Sequence, residues 1–245
     1  MDKNRLPKTS RPKRYEIKLD IDLNNFSYEG VENIELEVLE NTNSIFLNSL
    51  GIEVTSASLE VDKKEVNILS VEYLEDEERI CLSSENEIVK GSYILHIKFK
   101  SDITDDLKGF YKSKYLTKEN EEKWIATTQF EPTSARNAFP CWDEPEYKAV
   151  FSITIIADKK LLRVSNEKVL EEKETKDNKV ETTFVDSMKM STYLVAFVVG
   201  ELEATEIGSA GSTEVRIVHR PGSVSYTHLR AHETEADLVC RLLLE

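Results

Sequence analysis

The strongest constraint on the fold of this chain is a period of two in its hydrophobic pattern. Apolar and charged residues alternate from Tyr15 to Leu23, and the alternation returns in 34–38, 93–99 and 151–155. Successive side chains of a β-strand point to opposite faces, so this pattern is typical of strands with one buried and one wet face. The first two runs are predicted to be antiparallel neighbours, and the fold to be all-β.

Further short apolar runs extend the pattern, with charged linkers at 75–78 and 171–179 between some of them. Many short strands at a spacing of about 8–12 residues indicate a sandwich or a strongly twisted open sheet. The run 193–199 is apolar on both faces, which predicts a central strand buried on both sides. The other runs are 45–47, 52–54, 57–61, 66–73, 80–82, 162–164 and 180–184.

The charge is distributed unevenly along the 245 residues. Residues 1–14 hold six basic residues and one acid, a net charge of +5, while the whole chain carries −14, so the remainder carries −19. Such an acidic body argues against nucleic acid as a partner, because nucleic-acid binding needs a basic surface. Pro7 and Pro12 disfavour helix in residues 1–14, which we predict to be an extended N-terminal arm.

The sequence also bears on the compartment. No apolar run approaches the roughly 18–20 residues that a membrane span needs, and the N-terminus shows no apolar segment of a secretory signal. Cys81, Cys141 and Cys240 are too few and too scattered for a disulfide framework. We therefore expect a cytoplasmic protein that does not enter the membrane.

One stretch, Thr127–Pro145, interrupts the alternation. It holds three of the six prolines together with Arg136, several aromatic residues and two adjacent acids. Because proline cannot donate to a sheet ladder, we expect a loop or a short helical turn between strands at 124–128 and 149–156. A long polar and aromatic connection inside a β pattern is either functional or a structural plug, and the pattern alone leaves both open.

Several side chains of this stretch are predicted to be structural. Arg136 is expected to form a buried ion pair with Asp143 or Glu144, because a poorly solvated loop tolerates charges that are paired. Cys141 is expected to be a small buried hydrophobe rather than a nucleophile, since no histidine lies beside it in the sequence. Three aromatic residues are expected to pack rather than bind ligand: Phe130, Phe139 and Trp142.

The same stretch resembles the zinc aminopeptidases of the aminopeptidase N family, which includes puromycin-sensitive aminopeptidase and the tricorn-interacting aminopeptidases. The resemblance covers about residues 5–222, and its motifs are specific because many residue types recur at fixed spacings. The segments that carry it are Gly109–Ser113 (G-F-Y-K-S), Thr128–Arg136 (T-Q-F-E-P-T-S-A-R), Phe139–Phe151 (F-P-C-W-D-E-P followed by K-A-x-F) and Met190–Phe197 (M-S-T-Y-L-V-A-F).

The resemblance implies a saddle-shaped N-terminal β domain, sandwich-like and mostly antiparallel, that lies against a thermolysin-like zinc domain. It implies that Glu131 binds the free α-ammonium group of the substrate and that Gln129 lines the first side-chain pocket. The implied partners are peptides with a free N-terminus, the implied reaction is hydrolysis of their N-terminal residue, and the implied cofactor is zinc in the full-length parent. From the Glu-Pro pair alone, Glu131 would be interpreted as a surface or loop-capping acid.

The zinc chemistry of that family needs an H-E-x-x-H helix and a downstream glutamate, of which this sequence has only His232-Glu233 without the second histidine. His219, His228 and His232 have no regular spacing. We therefore assign no catalytic residue and no metal ligand to this chain, and we expect it to be inactive by itself. The alternative function is that of a non-catalytic β-sandwich module that binds peptides or serves as a scaffold.

Four segments follow from these patterns. Residues 1–14 form the arm, 15–212 the β domain, 213–222 the start of the catalytic domain, and 223–245 a tail in which the alternation stops. Residues 230–244 could form a short helix, but the text from Ser223 resembles a translation of sequencing-adapter DNA. We therefore expect the tail to be non-native and the parent gene to be truncated before the thermolysin-like domain.

Overall fold

The computed structural model describes residues 5–62, 64–117, 119–211 and 213–222. These residues form β-strands and three short 3-10 turns, and none of them lies in an α-helix. The described part of the chain has no helix with the length and apolar character that crossing a membrane requires. The predicted all-β class is confirmed. The turns are Glu75–Glu77, Ala135–Asn137 and Thr192–Leu194.

The strands are numbered in chain order. They are β1 (Ser10–Asp22), β2 (Ser27–Val38), β3 (Thr42–Asn48), β4 (Glu53–Val61), β5 (Lys64–Ile68), β6 (Ser70–Leu74), β7 (Arg79–Ile88), β8 (Gly91–Asp102), β9 (Gly109–Leu116), β10 (Glu122–Gln129), β11 (Val150–Asp158), β12 (Leu162–Ser165), β13 (Val169–Glu174), β14 (Lys179–Phe184), β15 (Phe197–Gly200), β16 (Glu203–Ala204), β17 (Gly208–Ala210), β18 (Thr213–Val215) and β19 (Val218–His219).

Among the described residues these strands form five sheets. The large sheet has the order β13-β14-β11-β1-β2-β8-β4-β5, a second sheet has the order β12-β15-β10-β9, and a third has the order β3-β7-β6. Strands β16 and β19 form one small ladder, and β17 and β18 form another. Only β1 and β11 pair in parallel among these strands, so the expected mostly antiparallel arrangement is confirmed.

One continuous core joins the three main sheets. Alternate residues of β1, from Tyr15 to Ile21, are at most 1% exposed, so the period of two in the sequence becomes the inner face of the large sheet. Ile45 and Leu82 reach this core from the three-stranded sheet and Phe110 from the four-stranded sheet. Burial of each such side chain contributes about 1.5–3 kcal/mol. The core therefore fixes the position of the four-stranded sheet that carries the candidate site.

Strand β1 begins earlier than the sequence predicted. Residues 10–14, assigned to the extended arm, pair with β2, and only residues 5–9 of the described arm lie outside the sheet. The register of this pair shifts between Pro12 and Arg14. Such an irregularity accommodates a proline, which has no N–H to give to the ladder. Pro12 is thus an irregular position within β1 rather than its boundary.

The run 66–73, predicted as one strand, is divided between two sheets. Strand β5 pairs with β4 in the large sheet, and β6 pairs with β7 in the three-stranded sheet. Leu69 lies between them, is 5% exposed and donates its N–H to the carbonyl of Ala57 at 3.0 Å. An apolar run does not reveal such a change of sheet, because its pattern is the same whichever strand it pairs with.

The run 193–199 also becomes a shorter strand than predicted. Residues 192–194 form a 3-10 turn, closed by the N–H of Val195 on the carbonyl of Thr192 at 3.0 Å, so β15 begins only at Phe197. The central placement is confirmed, because β15 lies between β12 and β10 and all four of its residues are buried.

Residues 213–222, expected to begin the next domain, pair backward along the chain. Strand β18 pairs with β17, and β19 pairs with β16, so the expected boundary at 212–213 falls inside a hairpin. The boundary itself stays a prediction. The tail 223–245 and its short helix lie outside the described residues.

Candidate functional site

The two predicted substrate-binding side chains lie at the end of β10. Gln129 is the last residue of the strand and pairs with Gly109 of β9. Gln129 and Glu131 are exposed, while Phe130 between them is 2% exposed. The ring of Phe130 packs edge-on against Phe139 and Phe197, with centroids 5.9 and 6.0 Å away. Because the buried ring anchors the backbone, its two neighbours are held facing outward.

Neither outward side chain is engaged by another residue that the structure describes. Within the part of the chain that the structure describes, the Gln129 amide and the Glu131 carboxylate have no hydrogen bond or ion pair. Both groups are therefore free to bind a ligand. A carboxylate beside an amide suits a cationic group that also carries N–H donors.

The chain turns sharply directly after these residues. The Glu131–Pro132 peptide bond is cis, and the N–H of Ser134 donates to the carbonyl of Phe130 at 2.8 Å. The following 3-10 turn packs against the start of β9, where Gly109 has φ +68°. A Cβ at Gly109 would lie 2.6 Å from the Cβ of Asn137, so this position requires glycine for both space and conformation. The missing side chain of Gly109 and its tolerance of a positive φ together let the turn lie close to β9.

Arg136 fastens this turn to two other segments. Its Nε donates to Asp143 Oδ2 at 3.0 Å, and its Nη1 donates to Glu78 Oε2 at 2.9 Å. The side chain of Arg136 is 12% exposed and that of Asp143 is 1% exposed, so the pair is largely shielded from water. The carbonyl of Arg136 also accepts the N–H of Leu50 at 2.9 Å. Arg136 thereby joins the 3-10 turn to the later part of the loop at Asp143. It also joins the turn to Glu78 and Leu50, which lie beside strands of the three-stranded sheet.

Asp143 is the centre of this network. Its Oδ1 accepts the hydroxyl of Thr192 at 2.7 Å, and its N–H donates to Asn48 Oδ1 at 3.1 Å. Two main-chain bonds join Asn48 and Cys141 in addition, at 2.8 and 3.0 Å. A buried carboxylate with this many donors is compensated for its loss of water. The network joins the loop to β3 and to the 3-10 turn before β15.

Comparisons with known proteins place this arrangement in a family. Residues 11–194 match the family model described as the peptidase M1 N-terminal domain. Aminopeptidase 2 of Candida albicans is 39% identical over 198 residues, covering 80% of this chain and 21% of that protein. The puromycin-sensitive aminopeptidase of Caenorhabditis elegans is 36% identical over 220 residues, covering 89% of this chain and 23% of that protein.

The chain belongs to the peptidase M1 family. A further relative, endoplasmic reticulum aminopeptidase 1 of Rattus norvegicus, is 31% identical over 225 residues, covering 90% of this chain and 24% of that protein. The predicted resemblance to the aminopeptidase N group is confirmed. The chain spans about a fifth to a quarter of the length of these relatives.

In the loop of this M1 domain, the side chains predicted to be structural are buried or paired. Of the two acids proposed as partners of Arg136, Asp143 is confirmed, whereas Glu144 instead accepts the N–H of Leu6 at 2.7 Å. Phe130, Phe139 and Trp142 are at most 2% exposed and pack as expected. The roles of Gln129 and Glu131 in substrate binding stay predictions.

Cys141 has the properties of a structural residue in this M1 domain. It is fully buried, and burial raises the pKa of its thiol well above the usual range. The nearby carboxylate of Asp143 raises that pKa further. Since the thiolate is the nucleophilic form, the Cys141 side chain is chemically inert in the folded domain.

The described residues contain no group of three or more His, Cys, Asp or Glu side chains that could hold a metal ion. Of the histidines considered for a metal, His219 contacts the carbonyl of Arg220 at 2.9 Å, while His228 and His232 lie outside the described residues. The described residues of the M1 domain thus provide exposed polar groups at Gln129 and Glu131 but no set of side chains with the composition of a zinc site.

Glu78 and Thr192 are parts of the network that sequence reasoning missed. Glu78 ends the 3-10 turn before β7 with φ +51°, 58 residues from its partner Arg136. No spacing rule links positions so far apart. Thr192, by contrast, lies inside the segment Met190–Phe197 that carries the family resemblance, which was the available signal that the position has a role. Its hydroxyl donates to Asp143 Oδ1.

Proposed function

We propose that this chain is the substrate-anchoring N-terminal domain of a zinc-dependent aminopeptidase that hydrolyses N-terminal residues from peptides. Glu131 accepts the free α-ammonium group of the substrate, and Gln129 lines the pocket for its first side chain. The observation that carries the proposal is the pair of exposed, unpaired side chains on either side of the buried Phe130. The names of the matched M1 relatives support the reaction class.

The chemistry of the pair supports exopeptidase action. A carboxylate bound to a desolvated ammonium contributes about 1.5–3 kcal/mol, more than a bond between neutral groups. Only a peptide with a free N-terminus can make this bond, so the distance from Glu131 to the reacting peptide bond selects the first residue. In the parent, zinc would polarise the scissile carbonyl and activate water. We assign its ligands to a thermolysin-like domain outside the described residues.

The test uses the full-length parent protein and an amino-acid anilide substrate. For Glu131→Gln we expect kcat/KM to fall by about 10- to 150-fold, the equivalent of one charge-assisted bond. Glu122→Gln, an exposed glutamate at the opposite end of the same strand, is the matched control and should match the wild type. A Glu131→Gln enzyme within twofold of the wild type would contradict the anchoring role.

The role of Gln129 is tested by the preference of the enzyme among N-terminal residues rather than by its rate on one substrate. Gln129→Ala in the full-length parent should change the ratio of kcat/KM values between two N-terminal residues of different size, because a pocket wall acts on the side chain that it touches. Equal losses for all N-terminal residues would instead indicate a purely structural role.

The purified chain of 245 residues should not hydrolyse the anilide, with or without added zinc. Turnover by this chain would overturn the assignment of the metal ligands to another domain. The alternative function, a peptide-binding or scaffold module without catalysis, is favoured if the genomic reading frame stops near residue 222 and N-terminal peptides still bind. A downstream H-E-x-x-H motif in that reading frame would support the aminopeptidase.

We also propose a cytoplasmic location. Cys81 and Cys141 are both buried as free thiols, as expected for a protein kept in a reducing compartment. Fractionation of cells that express the full-length parent tests this proposal, and recovery in the secreted fraction would contradict it.

A further inference from the structure

One ionisable side chain in the core has no role in the network described above. Glu32 lies on the inner face of β2, between the buried positions Gly30 and Ile34, and it is fully buried. Neither of its carboxyl oxygens has a hydrogen-bond partner among the described residues. An ionised carboxylate without a partner is among the most costly groups to bury, so Glu32 is an anomaly that needs an explanation.

Within the described ranges, no charged group pairs with Glu32. Its cross-strand neighbours are Ile17 on β1 and Ile97 on β8. The titratable groups near it include the Tyr15 hydroxyl from β1 and the Cys141 thiol from the loop. Burial is the main cause that raises the pKa of each, and an ionised Glu32 would raise both further. Both of these groups are neutral and buried.

The charged groups beyond Cys141 are already engaged. Asp143 and Arg136 form the ion pair of the loop, and Arg136 is also held by Glu78. No hydrogen bond joins the guanidinium to Glu32. Consistent with this isolation, burial raises the pKa of the Glu32 carboxyl well above its usual range.

We propose that Glu32 is a protonation switch in the core, buried as the neutral acid, whose ionisation loosens the Cys141–Asp143 segment, which the Tyr15 hydroxyl joins to the same inner face of the sheet. That segment is held by individual hydrogen bonds rather than by a sheet ladder. They are the Asn48 bridge, the bonds of Arg136 and Thr192 to the Asp143 carboxylate, and the N–H of Trp142 on the Tyr15 hydroxyl at 3.2 Å. A charge appearing beneath it requires water or a polar partner, which the segment admits by moving. The proposal is independent of zinc and of the role of Glu131.

The sign of the effect follows from proton linkage. A folded-state pKa above the unfolded value of about 4.3 means that the folded chain holds a proton which the unfolded chain releases. The stability contributed by neutral Glu32 is fully present below that value and is lost as the pH rises toward the folded-state pKa. Across this window the unfolding equilibrium constant increases by up to tenfold for each pH unit.

The test measures urea unfolding of the 245-residue chain from pH 5 to pH 8. Compared with Glu32→Gln, which keeps the shape and cannot ionise, the wild type should lose stability with rising pH by up to tenfold in the unfolding constant per unit. Glu29→Gln is the matched control, an exposed glutamate of the same strand, and its curve should run parallel to that of the wild type. A constant difference between wild type and Glu32→Gln over the whole range would overturn the proposal.

A second measurement needs no variant. Hydrogen exchange in the wild type, corrected for the intrinsic effect of pH, should show the amides of Cys141 and Asp143 losing protection as the pH rises, before those of the central strand β8. Equal loss in both places would mean that ionisation acts only through global unfolding, and unchanged protection would mean that Glu32 does not ionise in this range. Either result would overturn the local switch.

Discussion

At the scale of single residues, Gly30 and Phe99 show how closely the inner face of the large sheet is packed. The two residues are directly paired across β2 and β8. A Cβ built on Gly30 would lie 2.1 Å from the Cζ atom of the Phe99 ring, so the ring occupies the space of the missing side chain. Glycine in a strand often marks such a close approach.

We expect Gly30→Ala to lower the free energy of unfolding by about 1–3 kcal/mol, the usual cost of overpacking a core. Urea denaturation measures this loss. Gly91→Ala is the control, because the nearest atom to its added Cβ is 3.5 Å away. The double variant Gly30→Ala/Phe99→Leu should cost less than the sum of the two single changes, and simple additivity would contradict the steric explanation.

Arg136 illustrates the energetics of a shielded ion pair. Arg136→Met should destabilise the chain by about 3–5 kcal/mol, because Asp143 would remain buried without its cation. Arg136→Lys should recover only part of this loss, since a single ammonium cannot reach Asp143 and Glu78 in the same fork. Urea denaturation of both variants tests this order.

The control for this prediction is Arg5→Met. Arg5 pairs with Glu146 at the surface, where its side chain is 62% exposed, and exposed pairs contribute at most about 1 kcal/mol. Equal losses for Arg136→Met and Arg5→Met would show that burial of the Asp143 pair has no special consequence.

At the scale of elements, the N-terminal segment 5–9 is fastened to the loop rather than free. Leu6 is 3% exposed, and its N–H donates to Glu144. Lys8 contacts the carboxylate of Glu146 at 3.3 Å. The first described residues thus cover the far end of the stretch that carries the candidate site, a contact across 138 positions of sequence.

Leu6→Ala should therefore cost about 2–5 kcal/mol, as for other buried leucines, and should make the chain more sensitive to proteolysis near residues 144–149. Lys8→Ala, which removes only the exposed ion pair with Glu146 and leaves Leu6 in place, is the control and should cost at most about 1 kcal/mol. Limited proteolysis followed by mass spectrometry locates the cleavage. Cleavage elsewhere, with 144–149 still protected, would contradict the fastening role of Leu6.

At the scale of the whole molecule, the single core makes the thiols reporters of global folding. In a Cys240→Ser variant at pH 5, below the range in which Glu32 is proposed to ionise, Cys141 should react with a pyridyl disulfide reagent only at the rate of global unfolding, because it is fully buried and its thiolate is disfavoured. Cys81, which is 7% exposed, is the internal comparison. Rapid labelling of Cys141 without urea would contradict a single cooperative core.

Much of the fold follows from the sequence because strand faces are a local property. The alternation from Tyr15 to Leu23 identified the buried face of β1, since the period of two holds whatever the partner strand is. The burial of Glu32 could have been predicted from the sequence, because it lies two residues before Ile34 and therefore on the same inward face of β2. Gln129 and Glu131 are exposed in the structure, and their roles in substrate binding stay predictions.

The tertiary structure alone decided which distant segments meet. The sequence by itself determined the all-β class, the family and the inward-facing residues, because periodicity and motif spacing act over a few residues. It did not determine the change of sheet at Leu69, the partnership of Glu78 with Arg136 or the isolation of Glu32. These depend on which strands pair and which loops cover them, and pairing is settled by the burial of one shared core rather than by any local pattern.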